Sequence, residues 1–295
     1  MPEDQETNYT QGYSKSTVAS HASRTVDSDA AFLKPYIKPS DIILDIGCGP
    51  GTITVGFAAL VDAAQGGSVT GVDISDEILA QARETAADAA ASSSSNTTTT
   101  TTIQFQKADV LVGLPFADES FSVLYASQLF PHLATPEQRA KALAEMRRVL
   151  KPGGVLATRD AAELHFYPRR YGLDRLWAGN MVRALRPREQ KVDACFPGGD
   201  MPALFRSAGF GSVGPDSAGK LIVGAGTTVY SDRETRKWFA EALLGRLQAG
   251  DAFRESWRRV GITDEVGETC RALEQWAMDE DAWYVAVQAE ILGWK

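Results

Sequence analysis

The chain has 295 residues, enough to bury a sizeable core in one large domain or two small ones. With 44% hydrophobic and 23% charged residues it reads as a soluble globular protein, and its net charge of −8 disfavours a polyanion, so no nucleic-acid partner is expected. Three scattered cysteines, Cys48, Cys195 and Cys270, exclude a disulfide framework and a zinc cluster and fit a reducing compartment, taken as cytoplasmic. No apolar run reaches the roughly 18 residues of a membrane span, so no membrane association is expected. The acidic start MPEDQETNY is neither a secretory signal nor an arginine-rich transit peptide.

In chain order, residues 1–8 read as disordered, and one or two helices are expected from Ser16 to about Tyr36, ended by Pro35 and Pro39. A βα rhythm follows. DIILDI (41–46) is a continuous apolar run, the pattern of a strand buried on both faces. GTITVGFAALVDAA (51–64) reads as a helix and GSVTGVDI (67–74) as a strand. In SDEILAQARETAADAAA (75–91), Ser75 is a candidate N-cap with Asp76 and Glu77 in the first turn. The run 92–102 is low-complexity Ser, Thr and Asn, and is expected to be a mobile surface loop.

Strands are then expected at 103–109, 121–127 and 153–161, with an amphipathic helix at 135–150 that starts on threonine and proline. The later segments 172–186, 200–209, 232–250 and 263–280 read as helices. A strand with a glycine-proline irregularity is expected at 210–224, and 282–294 as a strand, a helix remaining open. Alternating strands and helices give an α/β fold with a doubly wound, mostly parallel sheet.

LDIGCGPGTIT (44–54) carries Gly47, Gly49 and Gly51 directly after an apolar strand. Glycine costs backbone entropy, so such clustering needs a steric reason. A strand, a glycine turn and a helix N-terminus form a cradle whose outward N–H groups meet a ligand with no side chains in the way. The spacing G-x-G-x-G puts Thr52 where a dinucleotide fingerprint has its third glycine, and a P-loop lysine is absent. Asp45, two residues before the first glycine, repels a pyrophosphate and suits a ligand with positive charge.

These residues resemble the first motif of class I S-adenosylmethionine-dependent methyltransferases. The resemblance continues in VTGVDIS, KADVLVGLPFADESFSVLYAS and LKPGGVLATRD, covering roughly 40–165, and is nearest to the ubiquinone/menaquinone-type small-molecule enzymes of a fungal and bacterial branch. It implies a Rossmann-like methyltransferase fold with a seven-stranded sheet and a helical cap. In that reading 1–39 is an N-terminal helical lid and 40–230 the cofactor-binding core, with cap helices at 165–200. A helical cap insertion fills 231–281, and 282–295 is the last core strand. The resemblance implies that Asp45, Gly47, Cys48, Gly49 and Gly51 hold the methionine end of S-adenosylmethionine. Asp73 and Ile74 then take the ribose, Ala108, Asp109 and Val110 the adenine, and Ser127, at the end of strand four, is a further cofactor contact. The lid residues Tyr13 and Arg24 are candidate cofactor contacts.

Each reading has a plainer counterpart. Asp73 can be an ordinary helix cap and Asp109 a solvated strand end. Cys48 reads as a small filler, since no base adjoins it in sequence. His132 and His165, after strands four and five, are candidate bases for an oxygen acceptor, and each can equally be a packed or exposed histidine. Arg159 and Asp160 are read as paired with each other. Among Trp177, Trp238, Trp257, Trp276 and Trp283, most are expected to pack, with one or two walling an apolar acceptor pocket. The expected function is methyl transfer to a small apolar or aromatic metabolite, with oxygen favoured over nitrogen, carbon or sulfur. No metal is expected, and the chain is expected to be a monomer or homodimer. The alternatives are an enzyme acting on RNA or protein, a module that only binds the cofactor, and, more distantly, a nicotinamide oxidoreductase.

Overall fold

A computed structural model describes residues 23–92, 102–133, 135–184, 196–211, 213–214, 217–218, 220–248 and 252–295. Tyr13, residues 1–8 and nearly all of the Ser/Thr run lie outside the described residues, as do residues 16–22 of the expected N-terminal helices. The described part of that segment forms one helical turn, α1 (Val26–Asp29), and a 3-10 turn at Lys34–Tyr36. Thr25 caps α1 by accepting from Ser28 N, and Ser28 returns the contact.

The core follows as β1 (Ile42–Ile46), α2 (Thr52–Ala58), β2 (Ser68–Asp73), α3 (Asp76–Ser92), β3 (Ile103–Lys107), β4 (Phe121–Ser127), α4 (Pro136–Val149) and β5 (Leu150–Tyr167). Both expected caps are present: Ile78 N donates to Ser75 Oγ at 3.3 Å, and Gln138 N donates to Thr135 Oγ1 at 3.2 Å. Next come a π-helical stretch, Asp174–Gly179, α5 (Asn180–Ala184), α6 (Met201–Ser207) and β6 (Leu221–Tyr230). The chain ends with α7 (Arg233–Gln248), α8 (Ala252–Arg259), α9 (Glu265–Met278) and β7 (Trp283–Trp294).

One seven-stranded sheet has the order β3-β2-β1-β4-β5-β7-β6. Strands β3 to β5 run parallel, while β7 is antiparallel to both β5 and β6. The fold is thus the doubly wound, Rossmann-like α/β arrangement. Alternation along β1 shows why its run is apolar throughout. Ile43 packs with Val26, Leu33 and Phe57 on one face, and Leu44 packs with Met146, Phe205 and Phe210 on the other.

The structure corrects several sequence expectations. β5 is far longer than 153–161: its pairing with β4 ends at Arg159, and it continues to Tyr167 paired with β7 alone. The segment 165–167 is therefore strand, not cap helix. β6 likewise starts at Leu221 and runs past 224 to Tyr230, and the expected helix 51–64 stops at Ala58. The projecting parts of β5, β7 and β6 carry a third apolar cluster, in which Phe166, Trp177, Leu243, Trp257, Leu273 and Trp276 pack together. This cluster is the core of the helical cap. Helix α8 belongs to it and falls within the expected cap insertion 231–281, between the two helices named there.

Candidate active site

The glycine loop closes β1 with left-handed backbone at Gly47 (φ +71°), Gly49 (φ +54°) and Gly51 (φ +80°). The amides of Gly47 and Cys48 both donate to Val72 O, at 2.8 and 3.0 Å, folding the loop over the end of β2. Two of the glycines serve different ends. A Cβ on Gly51 would lie 3.0 Å from Ala82 Cβ and 3.1 Å from Phe105 Cζ, so this glycine allows close packing on α3 and β3. A Cβ on Gly49 would meet nothing within 4 Å, so this stretch of backbone borders open space.

Asp73, at the end of β2, accepts from Gly49 N (3.1 Å) and from Ser75 N (3.0 Å), one amide on each carboxylate oxygen. Its pKa is raised by burial, and these backbone donors offset part of the rise. Asp45 is more deeply buried. It accepts from Thr54 Oγ1 at 2.6 Å, and burial pushes its pKa up to about 7, with Asp73 adding to the rise. Cys48 is buried beside both carboxylates, and burial first, then their charge, pushes its thiol well above the ordinary range. That environment fits a filler, not a nucleophile.

Ala108 N donates to Asp73 O at 3.1 Å, so the β3 exit lies directly beside the β2 end. Asp109 shapes the turn after β3, accepting from Leu111 N at 2.8 Å through its carboxylate. Val110 turns its side chain into the main apolar cluster with Leu114 and Phe121. Ser127 ends β4 and donates to Arg159 O at 3.3 Å. The residues Asp45, Gly47, Cys48, Gly49, Gly51, Asp73, Ile74, Ala108, Asp109, Val110 and Ser127 thus gather at the carboxyl ends of adjacent parallel strands, where open α/β sheets bind ligands.

A second space opens beside this edge. A cavity of about 590 Å³ lies between the projecting strands and the cap helices. Its aromatic wall comprises Trp177, Phe196, Tyr230, Trp238, Phe239 and Tyr284. Its polar lining includes Arg24, Asp29, Gln128, His132, Arg159, Arg246 and Gln288. Gln128, the residue directly after β4, stands on this lining. It sits at φ +55°, uncommon for a side chain of its size, and its Nε2 donates to Gln288 Oε1 at 2.7 Å. The next residue, Leu129, lies 3.4 Å from where a Gly47 Cβ would stand.

Sequence reasoning missed Gln128, Gln288 and Arg246. Gln128 had a signal, its place directly after a buried strand; Gln288 and Arg246 had none, because only the topology of β7 and the cap brings them in.

The two candidate histidines part company. His132 lines the cavity, and burial, then Arg24 and Arg246, lower its pKa to about 4. His165 sits on β5 beyond the cavity lining. It contacts Glu163 Oε2 at 2.8 Å and Asp174 Oδ2 at 3.4 Å, beside Arg169. The expected Arg159–Asp160 pair does not form, because neighbours on a strand point to opposite faces. Arg159 donates instead to Asp29 (2.8 Å) and Glu290 (3.2 Å), while Asp160 accepts from Phe130 N at 3.2 Å. Arg24, read from the sequence toward the cofactor, stands on the wall of the aromatic cavity.

The sequence matches the family described as a methyltransferase domain over residues 43–154, which takes in β1 through β4 and all the strand-end residues above. It is 45% identical over 292 residues to a probable methyltransferase, ltbC, of Aspergillus luteorubrus, covering 99% of this chain and 98% of that one. The chain belongs to the methyltransferase family. Its methyl donor, as in that family, is S-adenosylmethionine. Over shorter stretches it is 34% identical to the O-methyltransferase cnsE of Penicillium expansum (57% of this chain, 51% of that one). It is also 34% identical to a ubiquinone/menaquinone biosynthesis C-methyltransferase of Teredinibacter turnerae (41% and 43%). In fold it is similar to a putative methyltransferase of Bacillus halodurans, with a TM-score of 0.52, 16% identity, and coverage of 90% of this chain and 97% of that one.

Proposed function

We propose that this methyltransferase acts on a small aromatic metabolite and that the acceptor atom is oxygen. The observation that carries the reading is the aromatic-walled cavity of about 590 Å³, on whose lining stands Gln128, the residue directly after β4. Relatives with O-methyltransferase activity in their names support oxygen, although a C-methyltransferase is similar over a comparable stretch.

The residues at the strand ends fit the cofactor. The Gly49 backbone borders open space, and on the family resemblance Asp73 would take the ribose hydroxyls and Asp109 the adenine amine. Asp45 gains from a cationic ligand, whose charge favours its ionised form. When bound, S-adenosylmethionine supplies an electrophilic methyl group for in-line displacement. The chain's own task is to align the acceptor, exclude water and hold the acceptor proton. Gln128 and His132 face the cavity from the β4 side. His132 is neutral at pH 7 and so can accept a hydrogen bond from an acceptor hydroxyl. His165, in its ring of ionic partners, is assigned no catalytic part.

The test incubates the protein with S-adenosylmethionine carrying a labelled methyl group and with separate metabolite, RNA and protein fractions of its source. Label in an aromatic metabolite, attached through oxygen, is the expected result. Label in RNA or protein overturns it. Turnover unchanged in chelator is expected alongside.

A further inference from the structure

Gln288 stands at the polar end of a stripe on β7. Tyr284, Ala286 and Gln288 are alternate residues of that strand, so they share one face, and all three line the aromatic cavity. The register sets Ala161 of β5 and Gly226 of β6 opposite Gln288, so its neighbours across both ladders are small. The residue is 6% exposed. Its amide is fixed from the β4 side. A carbonyl can only accept, so Gln128 turns its side-chain nitrogen to Arg159 O (3.3 Å), and the same nitrogen donates to Gln288 Oε1 at 2.7 Å. Both hydrogens of Gln128 Nε2 are then occupied. Gln128 N also donates to Arg159 O, at 2.9 Å, which holds the residue in its left-handed conformation. The pair leaves open one acceptor, Gln128 Oε1, and one donor, Gln288 Nε2, and neither atom has a partner among the described residues.

We propose that Gln128 and Gln288 determine acceptor specificity by holding a second, unreactive hydroxyl of the acceptor, which makes that acceptor a dihydroxylated aromatic. This rests on the acceptor reading of the cavity given above. A hydroxyl donates and accepts at one atom, which is what the amide pair leaves open. A ketone or ether oxygen would satisfy Gln288 alone, and an ammonium Gln128 alone. The reacting hydroxyl stays with His132. The amides are set in advance: Arg159, whose carbonyl holds Gln128, is itself bound to Asp29 and Glu290, so little ordering is left for binding to supply. An amide left without a partner against an aromatic wall is costly, so the pair rejects an acceptor that lacks the second group.

Equilibrium binding tests the assignment without requiring turnover. The protein, saturated with S-adenosylhomocysteine, is titrated calorimetrically with the isomeric dihydroxynaphthalenes and with the naphthols that lack one hydroxyl. At least one diol is expected to bind roughly tenfold more tightly than its naphthols. Gln288→Met is expected to remove that preference while leaving the affinities for naphthol and for S-adenosylhomocysteine unchanged. Gln128→Met repeats the test from the other wall and serves if the sheet does not tolerate the first change. Equal affinity for every diol and its naphthols, or binding of neither, overturns the assignment. So does a diol preference that survives both substitutions. A loss of S-adenosylhomocysteine affinity in Gln288→Met also overturns it, since the amide would then serve the cofactor. A failure of the function itself is read separately, as absence of label transfer to a diol that binds with the expected preference.

Discussion

Asp73 holds two backbone amides at once, and this fixes both the glycine loop and the entry to α3. Asp73→Asn keeps the shape but removes the charge and one acceptor oxygen. The expected outcome is a tenfold to hundredfold loss of cofactor affinity, roughly 1.4–3 kcal/mol, measured by calorimetry. Two other carboxyls make stability depend on pH. Asp45 and Asp160 are both raised by burial from the ordinary 3.8 to about 7. Their native forms hold protons that the unfolded chain releases, so their contribution is full below about pH 4 and is lost as pH rises through about 7. The thermal midpoint of the unliganded protein is expected to fall between pH 5 and 8. Asp160→Asn should flatten that fall, and an unchanged slope would reject the assignment to Asp160. The glycine loop, Asp45, Asp73 and Asp109 were legible because each sits at a fixed step from an apolar run. Arg159 and Asp160 were misread because adjacency in sequence means opposite faces in a strand.

At the scale of elements, β5 decides most of the architecture. Its first half, VLATRD, reads as a buried strand, but AAELHFY mixes charged and apolar residues and gave no clean alternation. Its pairing with β7, more than a hundred residues away, holds it extended. Helix α8, AFRESWRR, hid behind its charges, although Phe253 and Trp257 stand four residues apart and both are buried. The elements are also locked by ions. Arg159 on β5 is 3% exposed in its side chain and pins Asp29 at the end of α1, while Tyr125 Oη donates to Asp29 O at 2.8 Å. Arg159→Leu leaves Asp29 and Glu290 without their cation. A loss of about 3–5 kcal/mol in unfolding free energy is expected from urea titration. A loss under 1 kcal/mol would show that the pair contributes little.

At the scale of the molecule, the apolar clusters beside the parallel sheet are separate from the cluster under the cap. Trp257 is fully buried in the cap, against Trp177 and Phe253. Trp257→Ala is expected to cost about 3–5 kcal/mol of stability and to abolish acceptor turnover. Its affinity for S-adenosylhomocysteine at 10 °C should stay within twofold of the parent's, and a large drop would mean that the two halves are not separable. The three-layered parallel part was readable because its strands are short and apolar, whereas the cap depends on contacts between segments distant in sequence. The ribbon of β5 and β7 runs through both parts, rising roughly 3.3 Å per residue. From Arg159 to Phe166 it therefore spans about 23 Å, with one shift of register between Ala161 and Glu163. Such a beam lets descent tinker with one end while the other is inherited intact: new cap helices can be tried against new acceptors, and the methyl donor is presented from the same place each time.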